Sequence, residues 1–151
     1  MKKRNRRAFS LVEVTLALGI AAVCLIAVFG LMPVGVQTNR NATSQTSATS
    51  ILSDVIADMR ATPKTISTST LYGIAFSVNS TTTLYFDGQG QFATSLGANS
   101  RYRLTVTIPT NPAGPNSATF ADLKVTWPAA VDPTTTTPGG SNEMFAAFDR
   151  N

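Results

Sequence analysis

The sequence predicts an α+β fold in which one long N-terminal helix packs against a small antiparallel β-sheet. Three observations predict it. An uncharged apolar run of membrane-spanning length lies near the N-terminus. A stripe of apolar residues at helical spacing follows it. The period then changes from about 3.6 to 2 after Pro63.

The apolar run comes first. Glu13 is the only charged residue between Arg7 and Arg40, and Val14 to Val36 is apolar apart from Thr15. At about 1.5 Å per residue, this run reaches about 35 Å as a helix, against a bilayer core of about 30 Å. Pro33, flanked by Gly30 and Gly35, removes a backbone donor inside the run, which predicts a kink or a melted turn there. Five basic residues, Lys2, Lys3, Arg4, Arg6 and Arg7, precede the run, and no comparable cluster follows it. By the positive-inside rule this places the N-terminus in the cytoplasm and the remainder outside.

Beyond the run, residues 37–50 are rich in Ser, Thr, Asn and Gln. Ala48, Leu52, Val55 and Met59 then recur at helical spacing, with Ile51 and Ile56 beside them. This predicts an amphipathic continuation of the helix, ending near Ala61 because the residue before Pro63 avoids the α region. Organisation follows as 1–8, a basic leader; 9–36, a transmembrane segment; 37–62, an amphipathic extracytoplasmic helix; and 63–151, a small β domain.

Within 63–151, Tyr102, Leu104, Val106 and Ile108 alternate with Arg101, Arg103, Thr105 and Thr107, as Leu123, Val125 and Trp127 do with Lys124 and Thr126. These are half-buried strands. Leu71 to Val78 reads as a further strand. Thr83 to Phe86 and Gln91 to Thr94 flank Asp87-Gly88-Gln89-Gly90 as a hairpin turn, a reading favoured over a calcium loop because further oxygen ligands are lacking. Pro109 to Ser117 and the Thr/Pro/Gly-rich Pro128 to Asn142 read as loops, the second as a flexible spacer, and Met144 to Arg150 as a final strand.

Composition restricts the chemistry. The chain has 12 Lys+Arg against 8 Asp+Glu, but removing the five cations of residues 1–8 leaves seven against eight. The basicity is a sorting signal, and no specific nucleic-acid partner is expected; Arg101 and Arg103 read as a solvated face. Histidine is absent and Cys24, the one cysteine, lies inside the run. That excludes His-dependent triads and His-containing zinc sites, and the scattered carboxylates form no acid–base pair. The expectation is a non-enzyme without cofactor.

The run admits three readings. A secretory signal peptide has a shorter apolar core of about 7–15 residues ending at a small-x-small site. A lipoprotein signal needs a small residue before the cysteine, where Val23 stands. The third fits: Arg6-Arg7-Ala8-Phe9-Ser10-Leu11-Val12-Glu13, followed by the uninterrupted run, resembles the prepilin leader of the type IV pilin and pseudopilin superfamily. The resemblance covers about 30 residues, with Ala8 standing where the family usually has Gly. It implies a pilin-like fold, cleavage between Ala8 and Phe9 by a prepilin peptidase and methylase, and N-methylation of Phe9. Glu13 then becomes the fifth residue of the mature chain, where the family has its characteristic Glu.

An ionised side chain in hydrocarbon costs about 2.5–3.5 kcal/mol on insertion scales. The amine of a mature Phe9, largely cationic at neutral pH, can offset that cost by pairing with Glu13 of a staggered neighbour. The stretch Phe9 to Ile20 is similar to the start of minor pilins and minor pseudopilins. Tyr85-Phe86-Asp87-Gly88 with Val125 to Pro128 is similar to the cassette-encoded pilin-like proteins called Verru_Chthon cassette protein B. The resemblance implies an inner-membrane subunit, single-pass with an extracytoplasmic domain. Its partners would be the peptidase, other pilin or pseudopilin subunits and an assembly platform, which build a type IV pilus or a type II secretion-like pseudopilus. The alternative is a membrane-anchored binding module whose β domain and Thr/Pro/Gly loop recognise a secreted substrate, DNA or a surface.

Overall fold

A computed structural model describes residues 10–110 and 118–149. The leader (Lys2, Lys3, Arg4, Arg6, Arg7 and Ala8), Phe9 and most of the loop expected at 109–117 lie outside the described residues. The chain divides into two units, 1–40 and 41–151, which are described separately.

Helix α1 runs over Leu11–Ala61. Within the first unit the helix continues through Pro33, so of the kink or melted turn expected there the melted turn is absent. Proline lacks the N–H that would bond the carbonyl four residues back, and this single loss does not interrupt the helix. The helix ends at Ala61, ahead of Pro63, as predicted. Thr62 continues the pattern by one residue, donating its N–H to the Asp58 carbonyl at 3.1 Å.

In the second unit, β1 (Ser80–Phe86), β2 (Phe92–Ala93), β3 (Tyr102–Ile108), β4 (Thr119–Trp127) and β5 (Gly140–Phe148) form one antiparallel sheet in the order β2-β1-β3-β4-β5. One face is apolar. Leu84, Phe86, Tyr102, Leu104, Val106, Ile108, Leu123 and Val125 are all buried, as the two-residue period requires. Against them pack Ala48, Ile51, Leu52, Val55, Ile56 and Met59 of α1, the six residues predicted as its apolar stripe. The helix therefore supplies one wall of the core. Register keeps like faces together: Leu84 pairs with Leu104, and Leu104 with Val125.

The β1–β2 hairpin turns at Asp87 to Gly90, as read from the sequence. Asp87 Oδ1 accepts the Gln89 and Gln91 N–H groups at 2.8 and 2.9 Å, and Gly90 has φ of 82°, a conformation suited to glycine.

Three expectations are corrected. Leu71 to Val78 is not a strand. Apart from one bridge between Thr68 and Ala75 it is turn and irregular structure, with Gly73 at φ 65° and its N–H donated to the Ser69 carbonyl at 3.1 Å. Ile74 from this turn plugs the core, while Leu71 stays exposed. The final strand begins at Gly140, two residues before the expected end of the loop. There Gly140 pairs with Trp127, and a Cβ at residue 140 would occupy the space of the Trp127 indole, so the close approach requires glycine. The loop before it, finally, is anchored rather than a free spacer, as described below.

Candidate functional site

Ser10 precedes the first helical residue, and its carbonyl accepts the N–H groups of Glu13 and Val14 at 3.0 and 3.2 Å. Glu13 therefore occupies the first helical turn. A carboxylate there faces the positive end of the helix dipole, which makes it compatible with the helix start. The Ser10-to-Glu13 spacing is that of a capping box.

From Leu11 to Thr43 every side chain of α1 is exposed, including fifteen large apolar ones between Leu11 and Val36. Fully burying one such side chain is worth about 1.5–3 kcal/mol. A continuous exposed sleeve of this kind is costly in water. The segment is long and apolar enough to be a candidate membrane span. Cys24 lies on this sleeve as a free thiol. Glu13 opens a shallow groove with Val14, Ala17, Leu18 and Ala21, where Ala17 and Ala21 stand one and two turns along the same face. Small residues at that spacing permit a second helix to approach closely. The sequence-predicted residues thus divide. Glu13 and Pro33 lie on this sleeve, whereas the cleavage and methylation positions Ala8 and Phe9 lie outside the described residues.

Two polar arrangements in the second unit were not read from the sequence. Asp58, near the end of α1, accepts Leu71 N–H on Oδ1 at 3.0 Å and Tyr72 N–H on Oδ2 at 3.3 Å, tying the turn segment to the helix. Arg103, expected on a solvated face, instead pairs with Asp132 and donates to the Val131 carbonyl at 3.3 Å, with its guanidinium over the Tyr85 ring. Arg101 reaches across to Ser44 Oγ at 3.2 Å. An available signal was Asp132-Pro133-Thr134, whose Asp and Thr suit a side-chain-capped turn.

Asp132 holds the β4–β5 connection. Its Oδ1 accepts both the Thr134 N–H and the Thr134 hydroxyl, at 3.0 and 2.7 Å. These two hydrogen bonds, then Arg103, hold the carboxyl below the usual aspartate value.

Comparison with protein-family models, with curated proteins and with solved structures finds no match.

Proposed function

We propose that this chain is a structural subunit, a minor pilin or pseudopilin, stored in the inner membrane with its N-terminus cytoplasmic. A prepilin peptidase cleaves it between Ala8 and Phe9 and methylates Phe9. It is then assembled with other subunits, on a membrane platform, into a type IV pilus or a type II secretion-like pseudopilus, in the periplasm or at the cell surface. One observation carries the reading: Glu13 is a lone carboxylate at the head of an exposed helical sleeve that is apolar from Val14 to Val36 apart from Thr15.

In that reading the sleeve has two successive surroundings, lipid in storage and neighbouring helices in the filament. Glu13 ties them together. Unpaired in lipid it is costly, and paired with a neighbour's mature amine it is neutralised, which biases the subunit toward assembly. The β domain keeps the polar face of its sheet free of the helix.

The test combines the mass of the N-terminal peptide with Glu13→Ala. Protein recovered from native membranes is expected to begin at N-methylated Phe9. Glu13→Ala is expected to remain membrane-inserted but to be depleted about tenfold or more from sheared filaments, a loss of about 1.4 kcal/mol or more in partition. A chain retaining Met1 to Ala8, together with indifference to Glu13→Ala, would instead make it an anchored binding module.

A further inference from the structure

Between α1 and the β1–β2 turn lies a cleft of about 260 Å³. Its walls are Ser47, Ser50 and Asp54 on one side and Asp87 to Gly90 on the other, and Tyr72, Phe86 and Tyr102 form its floor. The lining contains two carboxylates, hydroxyls and aromatic rings, and no lysine or arginine.

Three acceptors there have capacity to spare among the described residues. Asp54 makes no described hydrogen bond or ion pair. Asp87 commits Oδ1 to the Gln89 and Gln91 N–H groups and leaves Oδ2 free of described partners. Tyr102 is the third. The residue is only 1% exposed, and its phenol makes no described hydrogen bond, yet no sealed side-chain oxygen or nitrogen lacks a partner. The small exposed part of Tyr102 is therefore its hydroxyl, at the cleft it lines. A nearly buried phenol of this kind completes its hydrogen bonding with a group from outside the chain, whether water or a ligand.

We infer that this cleft binds a primary alkylammonium group, with Asp54, Asp87 and the Tyr102 hydroxyl as acceptors and the ring of Tyr72 against its methylene stem.

The chemistry separates this ligand from its rivals. An anion meets two carboxylates and no cation. A neutral polyol leaves both carboxylates uncompensated. Calcium takes six to eight oxygens, whereas this lining combines two carboxylates with three aromatic residues and Ile51. An alkylammonium offers three donors, an apolar stem and a positive charge attracted to ring faces. The local field is consistent with it: the Tyr72 hydroxyl is pushed above its usual value, by burial first and then by Asp54 and Asp58. Arg101 lies over the Tyr102 ring, 5.7 Å from its centroid, and donates to Ser44 outside the lining, so the cleft stays open.

The same group is carried by a free amine or by a lysine side chain of another polypeptide. The experiment titrates the full chain in detergent micelles with n-butylammonium, with a blocked Gly-Gly-Lys-Gly-Gly peptide, and with n-butanol as the neutral isostere, following the Gly88 and Gly90 amide resonances. Saturable shifts with both cations assign the site to the ammonium itself, and shifts with the peptide alone assign it to a lysine side chain. Either result requires that Asp54→Asn weaken binding about tenfold, and that Tyr102→Phe weaken it by a smaller factor while keeping a folded spectrum. An equal response to n-butanol, no saturable response to either cation, or unchanged binding in Asp54→Asn would overturn the inference.

Discussion

Arg103 and Asp132 meet on the outer face of the sheet, with Nη1 3.3 Å from Oδ2. The pairing joins the central strand β3 to the connection that leads from β4 into β5. It turns a Thr-rich segment that would otherwise be a tether into an anchored loop. Asp132 is the better-connected partner, because its carboxylate also organises Thr134 and its carbonyl accepts the N–H groups of Thr135 and Thr136 at 3.1 and 2.9 Å.

Replacing that carboxylate isolates its role. Asp132→Ala removes the ion pair and both Thr134 hydrogen bonds while leaving the core untouched. Proteolytic cleavage within residues 128–139 is expected to accelerate several-fold, with little change in global unfolding, since the opening is local. Limited proteolysis with mass mapping reads this directly, and an unchanged cleavage rate would show the loop to be held by its own turns.

The same carboxylate makes the loop acid-sensitive. The Asp132 carboxyl is held below its ordinary value by the Thr134 N–H and hydroxyl and then by Arg103, so the fold prefers the ionised form. Its contribution is fully present above an unfolded value of about 3.9 and is lost as pH falls through the lower folded value. Amide exchange at Thr134, corrected for intrinsic rates, is expected to speed up below that range in the wild type. Asp132→Asn is expected to show no such step.

Asp122 has the opposite sign. It lies on the outer face, where burial first and Glu143 second raise its carboxyl value, and Lys124 partly offsets them. A raised folded value means that stability falls as pH rises through it. Asp122→Asn should therefore raise the melting temperature at pH 7, by on the order of one or two degrees, and make no difference at pH 3. Thermal unfolding at the two pH values decides the matter, and a stabilisation that persists in acid would assign the effect to something other than charge.

Asp58 makes a structural prediction of its own. Asp58→Ala leaves the Leu71 and Tyr72 N–H groups without their acceptor and should cost about 1–2 kcal/mol. The loss should appear as faster exchange at those two amides, with the strands retaining their protection. Denaturant unfolding together with residue-level exchange measures both. Equal loss of protection across β3 and β4 would mean that Asp58 supports the whole core.

Much of this fold was legible because hydrophobic burial leaves a local, periodic trace. The Ala48-to-Met59 stripe, the alternation in β3 and β4, and the Asp87 to Gly90 turn each lie within a dozen residues or fewer of sequence, and each took the form expected. Leu71 to Val78 misled because its apolar content resembles that of a strand. What turned it was Gly73 in a left-handed conformation and Asp58, 13 and 14 residues away from the amides it caps. Glu13 was legible for the converse reason, as a lone charge in an apolar run needs no partner to be conspicuous.

By itself the sequence determined the apolar span with its carboxylate, the α+β class, and which faces of helix and strands turn inward, since these follow from non-directional burial acting on local periodicity. Only the tertiary structure decided that Arg103 meets Asp132, that Asp58 folds the turn segment, and that the Tyr102 hydroxyl is left at an acidic cleft. Those are polar relationships, directional and short in range, and they depend on where distant parts of the chain return to one another.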